Sequence, residues 1–124
     1  MFVGKHIHEH VSFQSVEAGT PGAVPIYREL DRRTGNHNWT ASAAEHNHLV
    51  RKMGWKNEGI AWYAFPPNAN HGVTVYRLYN PTRFTMRNSK GNGGNEHLYT
   101  LSKVEYNKLS HIGWRGENIA WRGI

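Results

Sequence analysis

Nine histidines, nine carboxylates and fifteen Lys and Arg side chains set the chemistry open to this 124-residue chain. Three histidines alternate in His6-Ile7-His8-Glu9-His10. On an extended strand alternate side chains share one face, and imidazoles placed that way can share a metal ion. The segment lies near a chain terminus and related segments further on carry no matching histidines, so the expectation here is solvated side chains and no metal. His46 and His48 fall two apart on an expected helix, about 200° around its axis, which is too divergent for one ion; both are assigned to solvent. His37 and His97 are different. Each stands two positions before an aromatic residue, Trp39 or Tyr99, and each follows a tyrosine–arginine pair, Tyr27-Arg28 or Tyr76-Arg77. As a ligand site, such a set offers ring faces for the C–H surfaces of sugars and polar tips for their hydroxyls. As packing, each imidazole bonds a buried backbone group or the neighbouring unit's Glu. Both readings stand at this point, packing ahead of binding for the histidines.

The elements that must position these residues are copied along the chain. His37-Asn38-Trp39-Thr40-Ala41-Ser42-Ala43-Ala44-Glu45 matches His97-Leu98-Tyr99-Thr100-Leu101-Ser102-Lys103-Val104-Glu105, and Gly54-Trp55-Lys56-Asn57-Glu58-Gly59-Ile60-Ala61-Trp62 matches Gly113-Trp114-Arg115-Gly116-Glu117-Asn118-Ile119-Ala120-Trp121. Upstream, Ile26-Tyr27-Arg28 matches Val75-Tyr76-Arg77. Read backwards without a gap, the alignment sets Glu9-His10-Val11-Ser12-Phe13 on Glu58-Gly59-Ile60-Ala61-Trp62, so a partial copy opens the chain. A fixed-period repeat of this kind governs the fold reading.

Within each full unit, alternating β-branched and aromatic residues at 26–30 and 73–79 predict opening strands. Short strands at 37–41 and 97–101 pair back as hairpins across 31–36 and 80–95. Ser42-Ala43-Ala44-Glu45 and Ser102-Lys103-Val104-Glu105 are capping boxes, each starting a helix of about ten residues that Gly54 or Gly113 stops in the left-handed conformation. Apolar positions at Ala44, Leu49, Val50 and Met53, and at Val104, Leu109 and Ile112, are expected to face the core. A closing strand follows at 60–63 and at 119–121. The fold class is α+β, a single pseudo-repeat domain of strand-strand-helix-strand units. Its parts are a partial unit and connector at 1–24 and full units at 25–72 and 73–124.

Composition narrows the function classes. At 38% hydrophobic residues and 19% charged, the chain supports one core, and no apolar stretch reaches the roughly 20 residues of a membrane span. No secretion signal is visible. Cysteine is absent, which removes thiol catalysis and disulfides from consideration. A net charge of +6 favours polyanionic partners without choosing among them. Five Trp and six Tyr at a mean hydropathy of -0.71 point to rings serving both core and surface. Trp55, Trp62, Trp114 and Trp121 are expected in the core, where their area is needed. Glu58 and Glu117 suggest the paired carboxylates of glycoside hydrolysis, but equivalent positions in separate units need not share a cleft, and an Arg partner or a helix N-terminus accounts for a repeated Glu. There is no phosphate loop, His-Glu-x-x-His helix or nucleophile elbow.

The linked motifs resemble a tandem-repeat family of unknown function in extracellular bacterial and fungal proteins, whose units read Y-R-x-Y-N, H-x-Y-T-x-S-x-x-E and G-W-x-x-E-G-I-A-W-Y. The match rests on Tyr76-Arg77-Leu78-Tyr79-Asn80, on His97, Tyr99-Thr100 and Ser102, and on Gly54-Trp55 with Glu58 to Tyr63. The first unit departs from it with Tyr27-Arg28-Glu29-Leu30-Asp31 and Trp39. The resemblance implies an extracellular or cell-surface accessory module, often joined to a wall hydrolase and holding it to a glycan. The expected function is accordingly a non-catalytic carbohydrate or cell-wall binding module without cofactor, its sites built from Tyr27, Arg28, His37 and Trp39 and from Tyr76, Arg77, His97 and Tyr99. Alternatives are nucleic-acid binding through Arg83, Arg87, Lys90 and Lys103, and a scaffold or oligomerisation role.

Overall fold

The computed structural model describes residues 3–8, 11–81 and 96–124, with side chains from Phe13 to Pro81 and from His97 onward. Among the described residues there are eight strands and two helices: β1 (Val3–His8), β2 (Val11–Ser15), β3 (Val24–Leu30), β4 (His37–Thr40), α1 (Ala43–Arg51), β5 (Lys56–Ala64), β6 (Val73–Asn80), β7 (Glu96–Thr100), α2 (Lys103–His111) and β8 (Arg115–Gly123). No described helix is long and apolar enough to cross a membrane. The mixed α+β class expected from the motifs is what forms. Two antiparallel three-stranded sheets, ordered β4-β3-β5 and β7-β6-β8, each carry a helix between the second and third strands in sequence.

Local chemistry explains the element boundaries. Ser42 and Ser102 sit in extended backbone and accept the amides of Glu45 and Glu105 at 3.0 Å, satisfying orphan donors of the first turn. Gly54 and Gly113, at φ 76° and 113°, end the helical segments in a conformation that costs other residues steric strain. The expected apolar faces hold only in part. Leu49, Val50 and Leu109 are half-buried, but Ala44, Met53, Val104 and Ile112 are exposed, α1 buries only His46 and α2 buries no residue, since only one side of each helix meets its sheet.

The core lies where the three closing strands meet. Phe13, Trp62 and Trp121 form a triangle of rings with centroid separations of 5.3, 5.5 and 5.5 Å. Ile26, Val75, Tyr99, Ala64 and Ala120 pack around them. Of the four tryptophans expected inside, Trp121 and Trp114 are buried, while Trp55 and Trp62 are half-buried.

The backbone repeats this three-way relation. Three residues beyond each ring, Val16 donates to the Tyr63 carbonyl at 3.0 Å, Phe65 to that of Arg122 at 2.8 Å, and Ile124 to that of Gln14 at 3.0 Å. Each acceptor directly follows a ring of the triangle, so the three bonds close a cycle within one chain. The opening strands obey the same register: Lys5 lies opposite Phe13, Ile26 opposite Trp62 and Val75 opposite Trp121. The first part of the chain is thus an opening strand joined directly to a closing strand, without the second strand and helix of the other two units. Exchanging Phe13 for Leu keeps the volume apolar but loses two ring–ring contacts. The expected cost is about 1–2 kcal/mol, read as a lower midpoint in chemical denaturation with an unchanged slope.

Candidate functional site

Between the two helix-bearing units lies a half-buried polar junction centred on Arg77, which sits on β6 opposite Tyr99 of β7. Its Nε donates to Glu117 Oε1 of β8 at 2.9 Å, and its two terminal nitrogens donate to Glu45 Oε1 and Oε2 of α1 at 2.8 Å each. Nη1 also reaches Asn38 Oδ1 at 3.2 Å and the Trp39 carbonyl at 3.3 Å. The paired bonds to Glu45 are the fork geometry that suits guanidinium to carboxylate. Tyr99 Oη accepts the Trp39 amide at 2.7 Å and has Asn38 Oδ1 and the Trp39 carbonyl as acceptors, both at 3.1 Å. Burial raises the Tyr99 phenol above its ordinary range, so it remains a donor. Arg77 is opposed by its own burial, but the Glu45 hydrogen bond and the surrounding charges raise it overall.

The capping-box expectation needs one correction here. The Glu45 carboxylate does not reach back to the cap; it turns across the interface to Arg77 and Asn38. Burial pushes it up, yet the Arg77 hydrogen bond and charge, with bonds from Thr40 and Asn38, bring it down to about 2. A carboxylate depressed on folding contributes stability that is complete above its unfolded pKa and is lost as pH falls through the folded one. The window therefore runs from about pH 4.5 down to about pH 2. Because the Glu45 side chain is 31% exposed, the loss is discounted for solvent screening to about 2 kcal/mol. Glu45→Gln flattens this acid limb, which urea titrations at stepped pH will read.

Each repeated histidine stands beside its own unit's Glu, where the packing reading named a buried backbone group or the neighbouring unit's Glu. His97 Nε2 lies 3.0 Å from Glu117 Oε1 and His37 Nε2 lies 3.0 Å from Glu58 Oε1. Burial raises the Glu117 carboxyl, but His97 and Arg77 more than reverse this and leave it below its ordinary value. Arg28 Nε stands 2.9 Å from Glu58 Oε1, though without aligned hydrogen-bond geometry.

His46 corrects a second expectation. It is buried at 6% exposure, its Nδ1 paired with Oε2 of the fully buried Glu29 and its ring stacked on Tyr27 at 4.7 Å. Asn38 Nδ2 donates to the other Glu29 oxygen at 2.9 Å. His48 is exposed, as read from the sequence. In the second unit the places of Glu29 and His46 are taken by Leu78 and Tyr106. Of the alternating N-terminal histidines, His6 and His8 lie on β1, and their side chains, with His10, fall outside the described residues. So do Arg83, Arg87 and Lys90.

Of the eight residues expected to form two equivalent pockets, Arg28, His37 and Trp39 gather about Glu58 and Arg77, His97 and Tyr99 about Glu117, whereas Tyr27 and Tyr76 lie apart from them against His46 and Tyr106. Tyr99, at 1% exposure, is core, and Arg77 is committed to the junction. Trp39 packs among Trp62, Tyr99 and His37. Tyr27 lies against His46, and Arg28 with His37 meets Glu58. Arg77 and Tyr76 line two open clefts. The first, of about 330 Å³, is bounded by Val24, Ser42, Glu45, Pro67, Arg77 and Glu117 among others. The second, of about 380 Å³, is bounded by Pro67, Asn68, Tyr76, Lys103, Tyr106, Asn118 and Ile119. Pro67 and Ile119 border both, so the two are continuous.

Tyr106, Asn118 and Asn68 were not singled out by the sequence. The signal for Tyr106 was present: it lies four residues after Ser102, on the helix face turned toward the opening strand, as His46 does after Ser42. The rings of Tyr76 and Tyr106 are 5.1 Å apart, and Lys103 Nζ lies 5.2 and 5.7 Å from them. Asn118 holds φ 65°, and where the first unit has Gly59 with φ 74°, it adds a polar side chain to the cleft.

Fold and site define an α+β domain whose two helix-bearing units are joined by an arginine–carboxylate junction and closed on a third, shorter hairpin. The chain belongs to the domain-of-unknown-function family DUF5648, whose profile matches residues 4–124. No curated protein and no solved structure matches it.

Proposed function

We propose that this domain is a non-catalytic carbohydrate-binding module, acting on a surface or wall glycan through the groove of the second unit. The observation that carries the reading is the grouping of the Tyr76–Tyr106 ring pair with Lys103, Asn68 and Asn118 along one cleft. Ring faces take the apolar face of a pyranose, while amide and ammonium groups bond its hydroxyls. The adjoining cleft adds Glu45, Ser42 and Glu117 as further polar groups within reach of a second sugar unit. The first unit offers no equivalent surface, because His46, Ala43 and Gly59 replace Tyr106, Lys103 and Asn118.

The test is a glycan array and wall-polymer pull-down at low and high salt. Binding that persists in high salt and falls at least tenfold in Tyr106→Ala, whose ring is only half-buried, supports the reading. Array-wide silence contradicts it. Binding to oligonucleotides alone, collapsing with salt, favours instead a nucleic-acid role for Lys103 stacked on the tyrosines.

A further inference from the structure

The two arginines that hold equivalent places in the units are not used alike. Arg77 lies opposite Tyr99 and Arg28 lies opposite Trp39, so both point from the same register of their sheets. Arg77 Nε donates to Glu117 Oε1 at 2.9 Å, Arg28 Nε lies as close to Glu58 Oε1 but as an ion pair without a hydrogen bond, and in both units the His stands 3.0 Å from that same carboxylate oxygen. At Arg77 the terminal nitrogens then take the Glu45 carboxylate supplied by the preceding unit's helix. At Arg28 the preceding part of the chain is the β1-β2 hairpin, which has no helix between its strands and, among the described residues, supplies no carboxylate to Arg28. The Arg28 side chain is accordingly 43% exposed, against 12% for Arg77, and among the described residues its one carboxylate neighbour within ion-pair distance is Glu58, at its Nε.

From this internal comparison we infer that Arg28, backed by Glu58 and His37, is a receptor for a carboxylate carried by a ligand, and that the ligand is a uronate of an acidic glycan. The Arg77–Glu45 pair is the template for the contact: a bidentate carboxylate on the terminal nitrogens of a guanidinium whose Nε faces the carboxylate of its own unit. A sugar ring is favoured over a bare acid because the half-buried Trp39 lies directly across the strand. The charge of +6 favours an acidic polymer in the same direction. The site uses none of the groove residues Tyr76, Lys103, Tyr106 or Asn118, so the two proposals stand or fall separately.

The experiment is ¹H–¹⁵N NMR of the whole chain, following the arginine Nε–Hε and tryptophan Nε1–H signals during titration with D-glucuronate, D-glucose or N-acetyl-L-glutamate. The expected result is a saturable shift of Arg28 and Trp39 signals with glucuronate at millimolar concentration, none with glucose at this site, and no movement of Arg77. Arg28→Lys, which keeps the charge but not the fork, is expected to weaken glucuronate at least tenfold, and Arg28→Gln to abolish it. Equal binding of N-acetyl-L-glutamate overturns the uronate assignment, and silence toward both acids overturns the site. If glucuronate is silent at Arg28 while a neutral saccharide shifts the Tyr106 ring, only the receptor proposal fails. The converse pattern removes only the groove reading.

Discussion

Arg77→Met is expected to cost about 3–5 kcal/mol, lowering the melting temperature by roughly 10–20 °C, whereas Arg28→Met is expected to stay within about 1 kcal/mol of the parent. The sequence treats these residues as equivalent, and composition, strand position and cross-strand neighbour are closely matched. The difference lies in what each faces. Removing the Arg77 guanidinium leaves Glu45 without its cation, leaves Glu117 only His97 and the more distant Arg115, and strips Asn38 and the Trp39 carbonyl of a donor. Met preserves the aliphatic stem, so the loss reports charge and hydrogen bonding more than packing. Adding Glu45→Gln to Arg77→Met is expected to restore part of the stability, because one orphaned charge is removed with its partner. The coupling from that double-mutant cycle, measured by thermal or urea unfolding, is expected to exceed about 1 kcal/mol. Equal costs for the two arginine variants would contradict the assignment of the junction.

His46→Ala is expected to lose about 3–5 kcal/mol for the same physical reason in a drier place. Glu29 is fully buried, and without His46 it keeps only the Asn38 amide. The second unit indicates the remedy, since Leu78 and Tyr106 occupy the corresponding positions and Leu78 is itself fully buried. The paired replacement Glu29→Leu with His46→Tyr is therefore expected to recover to within about 1–2 kcal/mol of the parent, because an apolar pair of similar volume needs no partner for a charge. Equilibrium unfolding of the three proteins decides it. If the paired replacement is as damaged as His46→Ala alone, the cost comes from packing and not from an abandoned carboxylate.

Much of the architecture was readable because it depends on local rules. Ser42 and Ser102 cap, Gly54 and Gly113 stop, and alternation marks the opening strands, each within a few residues of chain. The gapless alignment of Phe13 with Trp62 and Trp121 placed three rings that do meet. The junction was not readable in the same way, since Glu45 satisfies a local capping pattern while its carboxylate answers to Arg77, which lies 32 residues away in sequence. His46 was misplaced for a related reason. A polar residue on an amphipathic helix reads as solvent-facing unless its buried partner, here Glu29 on the opening strand, is already known. The candidate groove was half legible: Tyr76 was marked by the repeat, but Tyr106, Lys103 and Asn118 converge on it only because helix and closing strand fold over the same sheet edge.

Closure of three closing strands into one ring inside a single polypeptide underlies both the Arg28 comparison and the unit-to-unit groove. Hydrogen exchange at the amides of Val16, Phe65 and Ile124 tests that closure directly. All three are expected to be protected, to similar degree and independently of protein concentration, as members of one cooperative unit. Protection of Phe65 alone, with Val16 and Ile124 exchanging at free-peptide rates, would contradict it, as would protection that grows with concentration.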